Sequence, residues 1–146
     1  MCFDDFVSQA VEETNRRLLR ARDAMDRSYA ESFDINRVAT IANMSGAHFS
    51  RSFRLAFGES PHRYLQRRRV ERAMFLLRQG KLDVTAVCLE VGFPSLGSFS
   101  RTFRRVVGES PSEYRRRGVL PAIPNCFGMA WTRPSSFGEA VPAARG

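Results

Sequence analysis

The sequence predicts an all-α fold of about seven helices, arranged as two helix-turn-helix subdomains joined by a long linker helix. Three observations carry this. Apolar residues recur at i, i+3, i+4 and i+7 through most of the chain, and no segment alternates well enough to form a sheet. One motif occurs twice. Glycines and Ser-Pro pairs punctuate both copies at matching places.

The repeat is plain once the copies are set side by side. Phe49-Ser50-Arg51-Ser52-Phe53-Arg54 matches Phe99-Ser100-Arg101-Thr102-Phe103-Arg104, with Ser52 against Thr102 the one difference. Gly58-Glu59-Ser60-Pro61 matches Gly108-Glu109-Ser110-Pro111, and Tyr64 matches Tyr114, all at an offset of 50. Upstream the offset is 49, where Ile35, Val38 and Ala39 match Val84, Val87 and Cys88. Such a repeat marks a duplicated unit.

Each copy reads as helix, tight turn, helix. Ile35, Val38, Ala39 and Ala42 give one apolar face, with Asp34 where an N-cap belongs. Asn43-Met44-Ser45-Gly46 forms the turn. Phe49, Phe53 and Ala56 mark the second helix, which Gly58 closes in a left-handed cap. Ser60-Pro61 then starts another helix, serine as cap and proline at the first helical position. In the second copy Val84, Val87, Cys88 and Val91 form the first face, and Gly92-Phe93-Pro94-Ser95 the turn. Phe99, Phe103 and Val106 mark the next helix. Gly108 ends it, and Ser110-Pro111 begins a last short helix closing on Arg115-Arg116-Arg117. Two short helices joined by a tight turn, the second of them polar, make a helix-turn-helix.

Between the copies, Ser60 to Gln79 has no breaker after Pro61 and ends at Gly80. Tyr64, Val70, Ala73, Met74 and Leu77 face a core, which leaves Arg63, Arg67, Arg68 and Arg69 for solvent or phosphate. Upstream, Leu18, Ala21, Met25 and Tyr29 give another amphipathic helix. Asn15 caps it, or it begins earlier, since Val7, Val11 and Thr14 continue the stripe. The organisation is an N-terminal extension over 1–14 and a first subdomain over 15–59. A linker helix over 60–80, a second subdomain over 81–117 and a proline-rich tail over 118–146 follow. In the tail Phe127, Met129 and Trp131 alternate, as in one short extended segment lying on the body. A disordered tail is the other reading.

Composition narrows the function. The chain has 146 residues and a net charge of +8, which favours a polyanionic partner: nucleic acid first, an anionic membrane second. The charge is localised. Residues 1–44 hold six basic and eight acidic residues, residues 45–117 hold 15 and six, and residues 118–146 hold two and one. Of the 23 basic residues, 22 are arginine, which reaches phosphates and guanine edges with a fork. Codon usage in a GC-rich genome gives the same excess, so placement carries more weight than residue type. No apolar run reaches the 18 to 20 or so residues of a membrane span. Asp4 and Asp5 stand where a signal peptide would be basic, so export is not expected. Cys2, Cys88 and Cys126 are odd in number and far apart, which argues for a reducing compartment. His48 and His62 lie 14 residues apart without a second ligand pair, so neither a metal nor any other cofactor is expected.

Arg51 and Arg101 follow their helix phenylalanines by two residues, about 200° around the helix, and point away from the core. Ala47, His48, Ser50, Leu96, Gly97, Ser98 and Ser100 share those outward faces, where small groups permit close approach to a base or phosphate. Arg54, Arg104 and Arg105 sit toward the helix ends and suit phosphates, as do Arg67 and Arg68 on the linker. Phe49, Phe53, Phe99 and Phe103 lie on the opposite faces. Core packing therefore explains them better than base stacking.

These residues resemble a known pattern. From about Leu18 to Arg117 the chain is similar to the DNA-binding domain of the AraC/XylS family of bacterial transcription regulators. The most specific part is Gly92-Phe93, Phe99 to Arg104, Gly108, Pro111 and Tyr114-Arg115, with Ala39, Ser45, Phe49, Arg51, Phe53, Gly58 and Tyr64 in the first copy. The resemblance implies two homeodomain-like subdomains whose second helices enter the major groove one helical turn apart on one face of the DNA. It implies a cytoplasmic bacterial protein, associated with the nucleoid when bound, that acts on double-stranded DNA as a monomer, with RNA polymerase as a further partner. Gly97 stands where family members often carry a hydroxyl residue, and Leu96 where polar residues are common. Side-chain hydrogen bonds from the second helix to bases are therefore expected to be few. About 14 residues precede the resemblance, too few for an effector-binding domain, so the chain resembles a short stand-alone member controlled by its abundance.

Two rival classes remain weaker. An enzyme would need a nucleophile motif, a phosphate loop or paired carboxylates, and the acids here are scattered. A co-regulator contacting RNA polymerase without DNA would not need the basic middle segment. RNA is a weaker nucleic-acid partner, because the A-form major groove excludes side chains.

Overall fold

The computed structural model describes residues 2–118. Seven helices make up the described chain: α1 (Cys2–Arg27), α2 (Ile35–Ile41), α3 (Gly46–Phe57), α4 (Pro61–Gln79), α5 (Val84–Glu90), α6 (Leu96–Val107) and α7 (Pro111–Arg117). No strand occurs among the described residues, so the expected all-α architecture is the observed one. The expectations for Phe127, Met129 and Trp131 fall outside the described residues.

Local chemistry sets each helix start. Asp34, Ser45, Ser60, Asp83, Ser95 and Ser110 each accept a backbone N–H two or three residues on, and one such cap contributes about 1 kcal/mol. α7 adds a reciprocal bond, since the Glu113 carboxylate accepts the Ser110 N–H. Gly58, Gly80 and Gly108 take the left-handed caps the sequence assigns them. Asn15 lies in the middle of α1, which begins at Cys2. The stripe through Val7, Val11 and Thr14 is therefore helical, as the earlier of the two starts requires. It carries no core of its own, because Phe3, Phe6, Val7 and Val11 are exposed and burial begins at Leu18.

Two cores form, and α4 belongs to both. The first gathers Leu18, Ala21 and Met25 of α1, Ala39 and Ala42, Phe49 and Phe53 of α3, and Tyr64 and Leu65 of α4. The second gathers Val70, Ala73 and Leu77 of α4, Val87, Cys88, Val91 and Phe93, Phe99 and Phe103 of α6, and Tyr114 of α7. Each holds a matching aromatic chain. Phe49, Phe53 and Tyr64 have centroids 5.5 and 5.6 Å apart, and Phe99, Phe103 and Tyr114 have centroids 5.6 and 5.5 Å apart. All four phenylalanines are fully buried. They are the core and not stacking platforms.

The structure extends the repeat beyond the sequence match. Leu18, Ala21, Met25 and Asp26 of α1 stand in the first subdomain where Val70, Ala73, Leu77 and Arg78 of α4 stand in the second, an offset of 52. Asp26 and Arg78 hold the two tyrosine hydroxyls. Tyr64 donates to the Asp26 carboxylate at 2.9 Å, and Arg78 Nε donates to the Tyr114 oxygen at 2.6 Å. Burial first, then the Asp26 charge, pushes the Tyr64 hydroxyl well above its ordinary range, so it remains a donor.

One expectation is corrected here. Arg69 was assigned to solvent or phosphate, yet it is 7% exposed. It lies four residues from both Leu65 and Ala73, on the buried stripe of α4.

Candidate nucleic-acid interface

Helices α3 and α6 are built to be read from outside. Each is 12 residues long, begins at a serine cap and buries two phenylalanines, Phe49 and Phe53 in α3 and Phe99 and Phe103 in α6. Neither contains an acidic residue, while α3 carries Arg51 and Arg54 and α6 carries Arg101, Arg104 and Arg105. The serine caps leave each N-terminus, the positive end of the helix dipole, at the surface.

The outward positions correspond one to one at the offset of 50. Ala47, His48 and Arg51 are exposed on α3, and Ser50 is half-buried beside Phe49. Leu96, Gly97 and Arg101 are exposed on α6, while Ser98 and Ser100 are half-buried. Leu96 presents an isobutyl group, 45% exposed, where α3 has Gly46. A Cβ on Gly46 would meet the exposed Asn36 side-chain oxygen at 2.7 Å and nothing else closer than 3.8 Å. Nothing lies within 4 Å of a Cβ placed on Gly97. The bare surface at Gly97 is thus not required by the fold.

The arginines separate by their partners. Arg51, Arg54, Arg101 and Arg104 are exposed and form no ion pair with an acid among the described residues. Arg105 is exposed and donates to the Gln66 side-chain oxygen at 3.0 Å. Arg67 and Arg68 differ from this expected pattern. Arg67 is bonded at 2.7 Å to both Glu59 and Glu71, and Arg68 at 3.0 Å to Asp26 and 2.8 Å to Glu71. All three guanidinium nitrogens of Arg67 are engaged in the fold, against the phosphate role expected for it, whereas Arg68 stays exposed and is engaged through Nε and Nη1.

The Arg67 pair is itself duplicated. Arg117 pairs with Glu109, and each of these arginines lies over its own subdomain's tyrosine, Arg67 at 5.2 Å from the Tyr64 centroid and Arg117 at 5.7 Å from Tyr114. A Glu two residues before the proline and an Arg eight residues after that Glu brace each subdomain's exit. Leu55 is a feature the sequence reading missed. It is 88% exposed at the position that Arg105 fills in the second copy, so the two faces differ in charge as well as in hydrogen-bonding groups.

Cys88 is buried, as its place on the core stripe predicts, and burial pushes its thiol pKa up. Cys2 and Cys126 have no described side chain. Among the described residues no three His, Cys, Asp or Glu side chains are placed to hold a metal ion, and no helix is long and apolar enough to cross a membrane.

Comparison with known proteins agrees with this geometry. A family described as a helix-turn-helix domain matches residues 38–117. An HTH-type transcriptional regulator of Haemophilus influenzae is 38% identical over 81 residues, covering 56% of this chain and 27% of that protein. The regulator MtrA of Neisseria gonorrhoeae is 34% identical over 65 residues, 44% of this chain and 22% of its own. The chain therefore spans only about a quarter of the length of these relatives. Among solved structures, the DNA-binding domain of the transcriptional factor AdpA, in complex with a target DNA, is 33% identical. It has a TM-score of 0.66 and covers 69% of this chain and 91% of that one. A probable AraC family transcriptional regulator from Rhodopseudomonas palustris is 27% identical with the same TM-score, covering 72% of this chain and 99% of that one. With the family matched across more than half its length, and with two helix-turn-helix units on a shared helix, this chain belongs to the AraC-type helix-turn-helix family of DNA-binding transcriptional regulators.

Proposed function

We propose that this chain binds double-stranded DNA in a sequence-specific way by laying α3 and α6 in successive major grooves, about 34 Å apart. The observation that carries the reading is the pairing pattern. Arg51, Arg54, Arg101, Arg104 and Arg105 of α3 and α6 form no ion pair among the described residues, whereas Arg67 and Arg68 of α4 are paired with Glu59, Glu71 and Asp26. In this reading Ala47, His48, Ser50 and Arg51 face one half-site, and Leu96, Gly97, Ser98, Ser100 and Arg101 face the other. Arg54, Arg104 and Arg105 take phosphates. Arg67 and Arg68 are left out.

Both recognition helices lie in one chain and present different groups. The site is therefore asymmetric, and one copy suffices. The protein acts in the cytoplasm by binding alone, without catalysis, and a regulator so placed meets RNA polymerase at the promoter.

The test is the salt dependence of affinity for a selected duplex. Each neutralised phosphate contributes a slope of about −0.9 in log K against log salt, so a slope of roughly −4 to −8 is expected. A slope near zero with the fold intact removes the DNA reading. Competition with duplex RNA and with polymerase subunits separates the rival partners: duplex DNA should displace, and the others should not.

A further inference from the structure

Two helices read one duplex only if their separation and roll are fixed. One helix, α4, contributes to both cores. The structure contains a second, off-axis connection. Arg69 of α4 donates from Nε to the Tyr29 carbonyl at 2.6 Å and from Nη2 to the Glu31 carbonyl at 2.7 Å. Both carbonyls follow the C-terminal end of α1, where the helix dipole favours a cation. The same guanidinium lies 5.8 Å from the centroid of Phe93, in the turn of the second subdomain. Phe93 packs at 5.2 Å on Phe99 of α6.

The loop after α1 also touches that turn directly. Gly92 has φ +85°, and a Cβ there would lie 2.3 Å from the Ala30 carbonyl oxygen. Tyr29 packs against both cores. One loop of the first subdomain is thus pinned by Arg69 against the residues that seat the second recognition helix.

We propose that Arg69, with the Tyr29–Glu31 loop and Gly92, is a clasp that fixes the roll of α6 relative to α3 and so sets the half-site spacing the protein accepts. This rests on the two-groove reading above. Simple packing does not account for the arginine. A buried cation whose bonds run to carbonyls rather than to a carboxylate is costly, and an apolar residue would fill the space at lower cost. What an apolar residue cannot supply is a fork that holds two carbonyls at once, and a lysine ammonium lacks that fork too.

The experiment compares wild type, Arg69→Lys, Gly92→Ala and the core control Leu77→Ala, each at a temperature where circular dichroism shows it folded. Affinity is measured on the selected duplex, on isolated half-sites, and on duplexes with one base pair added or removed between half-sites. One base pair turns the half-sites by about 34 to 36° relative to each other. Wild type and Leu77→Ala should prefer the native spacing by at least about thirtyfold, and Arg69→Lys and Gly92→Ala by about threefold or less, with half-site affinities unchanged. Gly92→Ala strikes the clasp from the opposite side, so it decides the matter if Arg69→Lys does not fold. A folded clasp variant that keeps the full spacing preference overturns the proposal. So does Leu77→Ala losing that preference to the same degree, since general loosening would then be the cause. A wild-type protein with no spacing preference removes the two-groove reading itself, and the clasp's role with it.

Discussion

Arginine 51 and arginine 101 occupy equivalent positions in the two copies, yet their neighbours differ. Beside Arg51 stand Ala47, His48 and Ser50, a methyl and two hydrogen-bonding groups. Beside Arg101 stand Leu96, the bare backbone of Gly97 and the half-buried hydroxyls of Ser98 and Ser100, so this face has fewer exposed hydrogen-bonding groups. A bidentate base contact is worth about 1 to 3 kcal/mol of discrimination, whereas phosphate contacts are nearly blind to sequence. Arg51→Ala should therefore relax base preference in one half-site, and Arg101→Ala should weaken binding evenly across sequences. Selection from a randomised-site library checks both, and a more tightly specified half-site under α6 would refute the asymmetry. Glu113 offers a pH test at the same scale. Its bonds with the Ser110 backbone and hydroxyl hold its carboxyl below the usual range, so its contribution is present at neutral pH and lost as pH falls through that lowered value. The stability gap between wild type and Glu113→Gln should be open at about pH 6, begin to narrow near the ordinary glutamate value of about 4.3, and close as pH falls through the lowered one. A gap that does not change with pH would show that the capping bond is not responsible. The outward arginines of α3 and α6 were legible because a two-residue step from a buried Phe fixes direction. The ion pairs of Arg67 and Arg68 and the burial of Arg69 have causes also present in the sequence. Glu71 lies four and three residues from Arg67 and Arg68, and Arg69 lies in step with Leu65 and Ala73. Only Glu59 and Asp26 required the tertiary fold, since α4 meets them across a turn and from α1.

Helix by helix, the starts and stops were written in short-range chemistry. The caps at Asp34, Ser60 and Ser110 and the helix ends at Gly58, Gly80 and Gly108 stand where the sequence predicts them, while Ser45, Asp83 and Ser95 add caps it did not single out. The start of α1 was not legible, because Asn15 offers a cap in the middle of a continuous apolar stripe, and helix continuation wins. The correspondence of α1 with α4 was also hidden. What is preserved there is a face of apolar size, Leu18 for Val70 and Met25 for Leu77, with opposite charges at Asp26 and Arg78 doing the same job for a tyrosine hydroxyl. The recognition helices depend on the rings beneath them. Phe53→Ala and Phe103→Ala each remove a fully buried ring and should lower unfolding free energy by about 3 to 5 kcal/mol. Denaturant titration measures this. Variants that keep wild-type stability but lose DNA affinity would place these rings on the interface instead.

For the whole molecule, the basic surplus lies in residues 45–117, which hold the repeat, and the proposed reading has the polyanion met there twice. What composition could not convey is which arginines remain available after folding. Glu59, Glu71 and Asp26 pair with Arg67 and Arg68 on α4, while the arginines of α3 and α6 form no ion pair among the described residues. The central claim is that one chain reads one duplex with two unlike helices. The most direct measurement is a footprint on a duplex selected from a random library, with binding stoichiometry determined on the same duplex. One chain should protect two major-groove segments of different sequence on one face, centred about 10 to 10.5 base pairs apart. A single protected segment, or a palindromic site occupied by two chains, would contradict the account.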